Sequence, residues 1–371
     1  MISSKKIKFM SKFLFALFII AWGIGDLKNN IGDDFKYIFF LLHLMFLAII
    51  FGLKHKKEKL VFSYEFKKLT ILMVFFLLIS IFFQFINNKI LMNTYKELFY
   101  IFFPILYVFL IANVEEKKDL KFYFYFTGIV FMSVFLIRAI PNLNLANILS
   151  ISFIKSYSPF EGIGSADIFL IVYIFSIISG NKKMAILSFV FCVLSFKRLH
   201  VIMAIIFPLI YILINRKKIS FINNKVYNAT KIVFIISPIL INLLTSNDFS
   251  NWFKNNTGID FNSFTMGRFY TINYIIDNKF ENLGLGTITT VLLQERNLDP
   301  YLADDLHCDL MRIYLETTII GLYLLVSKYF KITRKNIYNY IIITFSFVVM
   351  FSSHILTTFI YWIVVYLFIL Y

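Results

Sequence analysis

The segment LADDLHCDLMRIYLETTIIGL, residues 302–322, joins a polar loop to an apolar run, and borders of this kind recur along the chain. The loop that it ends, residues 246–309, is the only long segment without a run of apolar residues that can cross a membrane. Most of the remaining residues form such runs. We therefore expect a scaffold of membrane helices that presents residues 246–309 at one membrane face.

The composition excludes an ordinary soluble domain. Of the 371 residues, 59% are hydrophobic and 47 are phenylalanine, which is more apolar surface than a soluble chain of this length can bury. The first apolar run, residues 13–25, has no small-residue cleavage site and is followed by many others, so we expect a membrane span and no cleavable signal peptide. The predicted fold class is all-α, a polytopic membrane protein with residues 1–371 in a single integral membrane domain.

Apolar runs predict about twelve transmembrane helices. They lie at residues 13–27, 36–53, 69–86, 96–112, 121–140, 165–179, 184–196, 199–214, 232–246, 310–327, 338–353 and 355–371. Lys and Arg are concentrated in alternate connecting segments, such as KHKKEKLVFSYEFKK (54–68) and NRKK (215–218). The positive-inside rule then places both termini in the cytoplasm and residues 246–309 outside. The net charge of +16 is a topology signal, and we expect no nucleic-acid partner.

The runs at 184–196 and 199–214 predict a helical hairpin. The basic segments GNKK (180–183) and NRKK (215–218) flank the pair, so both ends face the cytoplasm, and the first run is short of the roughly 20 residues of a straight crossing. The tip, SFKRLH (195–200), puts Lys197 and Arg198 in a recess where an unpaired charge is costly. An anionic partner is expected there, and snorkelling to lipid phosphates is the alternative.

The outer loops hold the other candidate residues. Arg268 begins a predicted helix that runs to about Asn278, and FENLGLGT (280–287) predicts glycine turns. His307 has Asp304 and Asp305 close by to orient its ring, although it can equally be an ordinary interfacial residue. No H-E-x-x-H or D-x-D motif occurs in these loops, so we expect no metal and no cofactor.

Four pieces of the chain, in this order, resemble the O-antigen ligase and Wzy-type polymerase superfamily. They are SFKRLH (195–200), GRFYTINYIID (267–277), LGLGT (283–287), and His307 ahead of DLMRIYLETTIIG (309–321). The resemblance covers roughly residues 195–321. The chain departs from the family pattern at Cys308, where Asn is common, at Thr318, where a glycine is expected, and at residues 196–198, where Ser-Arg is expected.

The resemblance implies a GT-C-like glycosyltransferase of the bacterial cytoplasmic membrane with its active site on the extracytoplasmic side. The implied donor is an undecaprenyl-diphosphate-linked oligosaccharide, and the implied acceptor is the distal sugar hydroxyl of a second lipid-linked unit. Such a polymerase builds O-antigen or capsule polysaccharide, including that of lipopolysaccharide, and a chain-length regulator protein is a conceivable partner besides the membrane lipids. The same chemistry on a finished polymer is ligation, which stays open as an alternative.

Roles for individual residues follow from this resemblance and from side-chain chemistry. Arg198 and Arg268 are expected to hold the diphosphate, because a guanidinium binds phosphate oxygens bidentately and stays charged. His307 is the expected general base, completing the catalytic candidates. The candidate substrate-binding residues are Lys197, Arg138, Asp304, Asp305 and Tyr270.

A flippase or other transporter of lipid-linked oligosaccharides is the competing class. Transporters commonly carry polar groups near the middle of the bilayer, at the interface of related halves. In this sequence the ionisable residues gather at the predicted outer ends of the runs, with Asp167 and Glu97 as the main embedded exceptions. This distribution favours an enzyme.

Overall fold

The computed structural model describes residues 4–27, 33–54, 60–142, 144, 160, 166–219, 222–265, 267–278, 280–333 and 336–371. Within these ranges the regular secondary structure is helical, with two single 3-10 turns and no strand. The all-α fold class is therefore confirmed for the part of the chain that is described.

Helices are numbered here in chain order over the described residues. The first eight are α1 (Ser4–Leu27), α2 (Asp33–Lys54), α3 (Ser63–Ile86), α4 (Met92–Val114), α5 (Leu120–Ala139), α6 (Ala166–Ile178), α7 (Lys182–Leu194) and α8 (Arg198–Lys217). The others are α9 (Asn224–Ile235), α10 (Ser237–Thr245), α11 (Asn247–Thr257), α12 (Phe261–Phe264), α13 (Arg268–Asp277), α14 (Thr287–Glu295), α15 (Asp309–Thr333), α16 (Ile337–Met350) and α17 (Phe359–Leu370).

Seven of the described helices, α1 to α5, α8 and α15, are long and apolar enough to cross a membrane. The pair α9 and α10 meets the same test as one span bent by 47°, and α6, α16 and α17 are shorter apolar helices. Each of the twelve predicted apolar runs coincides with a helix or with this bent pair. The chain is thus a polytopic membrane protein built from apolar helices.

Several of the apolar helices begin with a side-chain cap. Asn181 accepts a hydrogen bond from the backbone N–H of Met184 at the start of α7, at 3.2 Å. Asn336 does the same for α16, where the N–H of Tyr338 donates at 2.8 Å. These bonds satisfy N–H groups that have no partner within the helix, which matters most where little water is present to replace them.

The chain divides into two compact units. The first consists of Met1–Ser63, Ile105–Lys217 and Ile363–Tyr371, and the second of Tyr64–Pro104 and Lys218–Trp362. In the first unit, α1 packs on α2 and α5, and α6 packs on α7 and α8. In the second unit, α15 is the central element, because α9, α10, α14 and α16 all pack against it.

Two local predictions can be compared directly with the helices. The helix expected from Arg268 to about Asn278 is α13, which runs from Arg268 to Asp277. The expected hairpin tip is the connection between α7, which ends at Leu194, and α8, which begins at Arg198. Both predictions are confirmed to within a residue or two at the helix ends.

Helix α15 contains a break at Thr318. The backbone there has φ of 65° and ψ of 179°, a region that is essentially restricted to glycine. A β-branched residue in this region is strained by about 1–3 kcal/mol. Thr318 is also the position at which the resemblance leads us to expect glycine.

Candidate functional site

The first turns of α15 carry a group of fully buried ionisable side chains, Asp309, Arg312 and Glu316. Arg312 Nη1 donates to Glu97 Oε2 of α4 at 2.8 Å, and Arg312 Nη2 lies 3.2 Å from Asp309 Oδ1. One guanidinium therefore joins carboxylates from two helices. Removing a charge from water costs several kcal/mol per ion, so such a group persists only when its members are paired with each other.

Asp309 holds the turn between α16 and α17. Its Oδ2 accepts hydrogen bonds from the backbone N–H groups of Ile355 and Leu356, each at 2.6 Å. Its Oδ1 lies 2.9 Å from His354 Nδ1, and His354 Nε2 lies 2.8 Å from Thr357 Oγ1. The carboxylate at Nδ1 and the hydroxyl at Nε2 contact both nitrogens of the imidazole. The ring of His354 is thus fixed in orientation.

His307 lies two residues before α15, and its side chain remains open to solvent on one side. Desolvation by the surrounding protein, followed by repulsion from the Arg268 guanidinium, lowers the pKa of His307 below its usual 6.5. Repulsion from His354 acts in the same direction, while Asp305 and Asp309 act against it. Because all these charges act on one imidazole, we group Arg268, His307, Asp309 and His354 as the histidine cluster.

A shared apolar core brings Arg268 and His307 to the same place. Ile272 and Ile275 of α13 are buried together with Leu306 and Cys308, the two neighbours of His307. The backbone N–H of Ala303 also donates to Thr271 Oγ1 of α13, at 3.3 Å. The loop ahead of α15 is therefore fastened along α13, whose first residue is Arg268.

The glycine turn LGLGT (283–287) is fixed between α3 and α4. Ser80 Oγ accepts from the N–H of Leu285 at 3.0 Å, and Thr94 Oγ1 donates to the carbonyl of Leu285 at 2.6 Å. Gly284 has φ of +90°, and a Cβ at this position would lie 2.4 Å from the Cα of Ser80. Only glycine fits so close a backbone approach. The turn leads directly into α14, whose Ile288 N–H donates to Glu316 Oε1 at 2.9 Å.

Three other predicted residues of the second unit have contacts of their own. Asp304 forms an ion pair with Arg296. The Tyr270 hydroxyl donates to Asp299 Oδ2 at 2.5 Å, and this bond raises the pKa of Tyr270. Asp305 acts electrostatically on His307, as described above.

The remaining predicted residues, Arg138, Lys197 and Arg198, lie in the first unit. Arg138 is in the last turn of α5, and Arg198 is the first residue of α8 and half-buried. Lys197 Nζ lies 3.3 Å from Oδ2 of the buried Asp167, which also contacts His200 Nε2. Asp167 thereby anchors the tip of the α7–α8 hairpin to the first turn of α6.

Two features of this site are not foreseen from sequence spacing. One is His354, although FSSHILTTF (351–359) is a polar break between the last two apolar runs, on the same predicted side as His307. The other is Glu97 as a partner of Arg312. Spacing along a helix places both Asp309 and Glu316 on the same face as Arg312, and the structure pairs Arg312 with Asp309 and with the distant Glu97.

Among the described residues, no group of three or more His, Cys, Asp and Glu side chains is arranged to hold a metal ion. The two cysteines, Cys192 and Cys308, are buried free thiols. Comparison of the chain with models of protein families, with curated proteins and with solved structures finds no match in any of the three.

Proposed function

We propose that this protein is a polysaccharide polymerase of the bacterial cytoplasmic membrane. It transfers a glycan from a polyprenyl-diphosphate-linked donor to the distal sugar hydroxyl of a lipid-linked acceptor at the outer face. The observation that carries the proposal is the histidine cluster, in which the Arg268 guanidinium lowers the pKa of the His307 imidazole. The loop that holds His307 is hydrogen-bonded to α13, the helix that Arg268 begins, and leads into the apolar helix α15. This transfer requires a cation that stabilises the anionic leaving group and a base that accepts the proton of the hydroxyl.

The proposed topology has twelve spans in a GT-C-like arrangement, with both termini in the cytoplasm. The bent pair α9 and α10 and the short helices α6, α7, α16 and α17 supply the spans beyond the seven long helices. The contact between Asp309 and His354 supports this topology. It requires the start of α15 and the turn between α16 and α17 to lie on one side of the membrane, which the positive-inside rule makes the outer side.

The transfer needs a donor that arrives activated, because the outer face has no supply of nucleotide sugars. In the proposed step, the acceptor hydroxyl oxygen attacks the anomeric carbon, and the bond from that carbon to the diphosphate breaks. The electron pair leaves with the diphosphate, whose growing charge Arg268 neutralises through bidentate hydrogen bonds.

His307 is the proposed general base. An imidazole with a pKa below 6.5 is neutral at pH 7 and accepts a proton from the hydroxyl as the new bond forms. General-base assistance of this kind is worth roughly 10² to 10⁴ in rate. After transfer, the imidazolium is repelled by Arg268 and is exposed on one side, so it returns the proton to water readily.

The remaining sequence candidates have secondary roles in this proposal. Asp305 tunes His307 electrostatically, whereas Asp304, Tyr270 and Lys197 are engaged with Arg296, Asp299 and Asp167. Asp304 and Tyr270 remain candidate contacts to the sugars of the substrate.

Reconstitution into liposomes with one purified undecaprenyl-diphosphate-linked repeat unit tests the proposal. A ladder of glycan lengths is the expected product. A single transfer to a lipid acceptor would identify a ligase, and movement of the repeat between leaflets without any transfer would identify a flippase. Either of these results contradicts the polymerase assignment.

A further inference from the structure

The second unit contains a cleft of about 450 Å³ between α10, α13 and α15. This volume lies within the range of roughly 300–1,000 Å³ that is usual for small-molecule sites. Aliphatic side chains such as Ile239 form part of its wall, and two aromatic rings, Phe280 and Tyr314, line it as well. The amide side chains of Asn242 and Asn278 add hydrogen-bonding groups near solvent.

Glu316 is the one carboxylate among the described residues that line this cleft, and it is fully buried. Its Oε1 accepts the N–H of Ile288 at 2.9 Å. Its Oε2 has no hydrogen-bond partner among the residues that the structure describes. A buried carboxyl oxygen without a donor is unfavourable, so a ligand that brings a donor to Oε2 gains affinity from it.

The side chains that line the cleft restrict the kinds of ligand that can bind in it. A hydrocarbon tail would leave Oε2 buried without a donor, and an ionised diphosphate would bring only acceptor oxygens to it. A sugar unit avoids both penalties, because its hydroxyl or acetamido groups donate hydrogen bonds while its C–H faces pack on aromatic rings. The wall of the cleft offers both kinds of surface.

We propose that this cleft binds one sugar unit of the glycan, with Glu316 Oε2 accepting a hydrogen bond from a hydroxyl or amide N–H of the sugar. The sugar ring packs against Phe280 and Tyr314. Glu316 lies two turns along α15 from Asp309 of the histidine cluster, so a glycan held here has its neighbouring units close to that cluster. The biological role of this site rests on the proposed function, but sugar binding is measurable without any transfer.

Saturation-transfer NMR on the full-length protein in detergent micelles tests the proposal. The probes are methyl glycosides of neutral, N-acetylated and acidic hexoses. Neutral and N-acetylated sugars are expected to bind, and acidic ones to bind far more weakly because an ionised sugar carboxylate is costly to bury in this cleft. Binding of farnesyl diphosphate, a short polyprenyl diphosphate, is followed in parallel by phosphorus NMR.

Two matched variants on α10 test whether the sugar binds in this cleft. Ile239→Trp fills it, whereas Leu243→Trp changes a residue one turn away that is equally exposed, 62% against 64%, and does not line the cleft. Sugar binding is expected to weaken about tenfold or more in Ile239→Trp and to stay unchanged in Leu243→Trp. Glu316→Gln keeps the acceptor for Ile288 and exchanges Oε2 for a donor, and we expect binding about three- to tenfold weaker.

Two results would overturn the proposal. One is the absence of binding by every sugar in the panel to the unaltered protein. The other is sugar binding that Ile239→Trp leaves unchanged, including the case in which this variant weakens only the binding of farnesene, a hydrocarbon probe. Loss of farnesyl diphosphate binding in Arg268→Ala, with sugar binding kept, is expected from the proposed function. If sugars bind as expected but the lipid-linked repeat is never extended, the polymerase assignment fails and the cleft assignment stands.

Discussion

Replacing Arg312 with methionine tests the charge network beneath the histidine cluster. Methionine keeps an unbranched side chain of comparable length and removes the charge, so Glu97 and Asp309 lose the guanidinium that lies 2.8 Å and 3.2 Å from their oxygens. Removing one partner of a buried ion pair destabilises a protein by about 3–5 kcal/mol, because the other charge stays buried without compensation. We expect Arg312→Met to lose free energy of unfolding in that range.

A double-variant cycle separates this effect from a general packing defect. Glu97→Gln removes one carboxylate but leaves Arg312 next to Asp309, and should cost about 1.5–3 kcal/mol, the value of a hydrogen bond to a charged group. In Arg312→Met with Glu97→Gln, Asp309 is the carboxylate that loses its contact with the guanidinium. Asp309 keeps the hydrogen bonds from the N–H groups of Ile355 and Leu356. The double variant should therefore lose about 0.5–3 kcal/mol less free energy of unfolding than the two single variants added together.

Equilibrium unfolding of the purified protein in mixed micelles, followed by its helical circular dichroism, measures these differences. Lys89→Met is the matched control, because Lys89 pairs with Glu281 at the surface, where both side chains are more than half exposed. Surface pairs contribute little, so this variant should unfold like the unaltered protein. Two results would contradict a buried charge network that stabilises the fold. One is an Arg312→Met variant as stable as Lys89→Met, and the other is strict additivity of the Arg312→Met and Glu97→Gln effects on the free energy of unfolding.

Two further predictions follow from the same unit. Because the pKa of His307 is lowered, the transfer rate should be constant above pH 6.5 and fall at lower pH, as protonation removes the base; Asp305→Asn should move this fall to still lower pH, since Asp305 raises the pKa. A midpoint above pH 6.5 in rate–pH profiles would contradict this. Thr318→Gly should raise the free energy of unfolding by about 1 kcal/mol by relieving the strain at φ 65°, whereas Thr318→Ala should not. Equal stability of the two variants would contradict the strained backbone.

Local features of the sequence predicted much of the scaffold. The apolar runs predicted every long helix, and the polar, glycine-containing segment after Asn278 marked the end of α13. The resemblance identified Thr318 as a place for glycine, and the backbone there has a conformation that favours glycine. These features depend on neighbouring residues, which sequence patterns report directly.

Contacts between distant elements could not be predicted in this way. Glu97 is 215 positions from Arg312, and His354 is 45 positions from Asp309. Helical spacing relates residues three or four apart, so it offered Arg312 only Asp309 and Glu316 as partners and gave no information on the turn that Asp309 holds. A charged residue within an apolar run indicates that a partner exists. Which partner it has depends on the packing of helices, and only a three-dimensional structure supplies that.

The most direct test of the central claim is the rate at which the reconstituted His307→Ala variant extends a lipid-linked repeat. His307 is proposed as the proton acceptor, so the rate should fall by roughly 10² to 10⁴ at pH 7, with binding of farnesyl diphosphate retained. Tyr301→Ala, which alters a neighbouring residue that is 83% exposed, should extend the repeat normally. A His307→Ala variant that builds the glycan ladder at the rate of the unaltered protein would contradict the proposed chemistry.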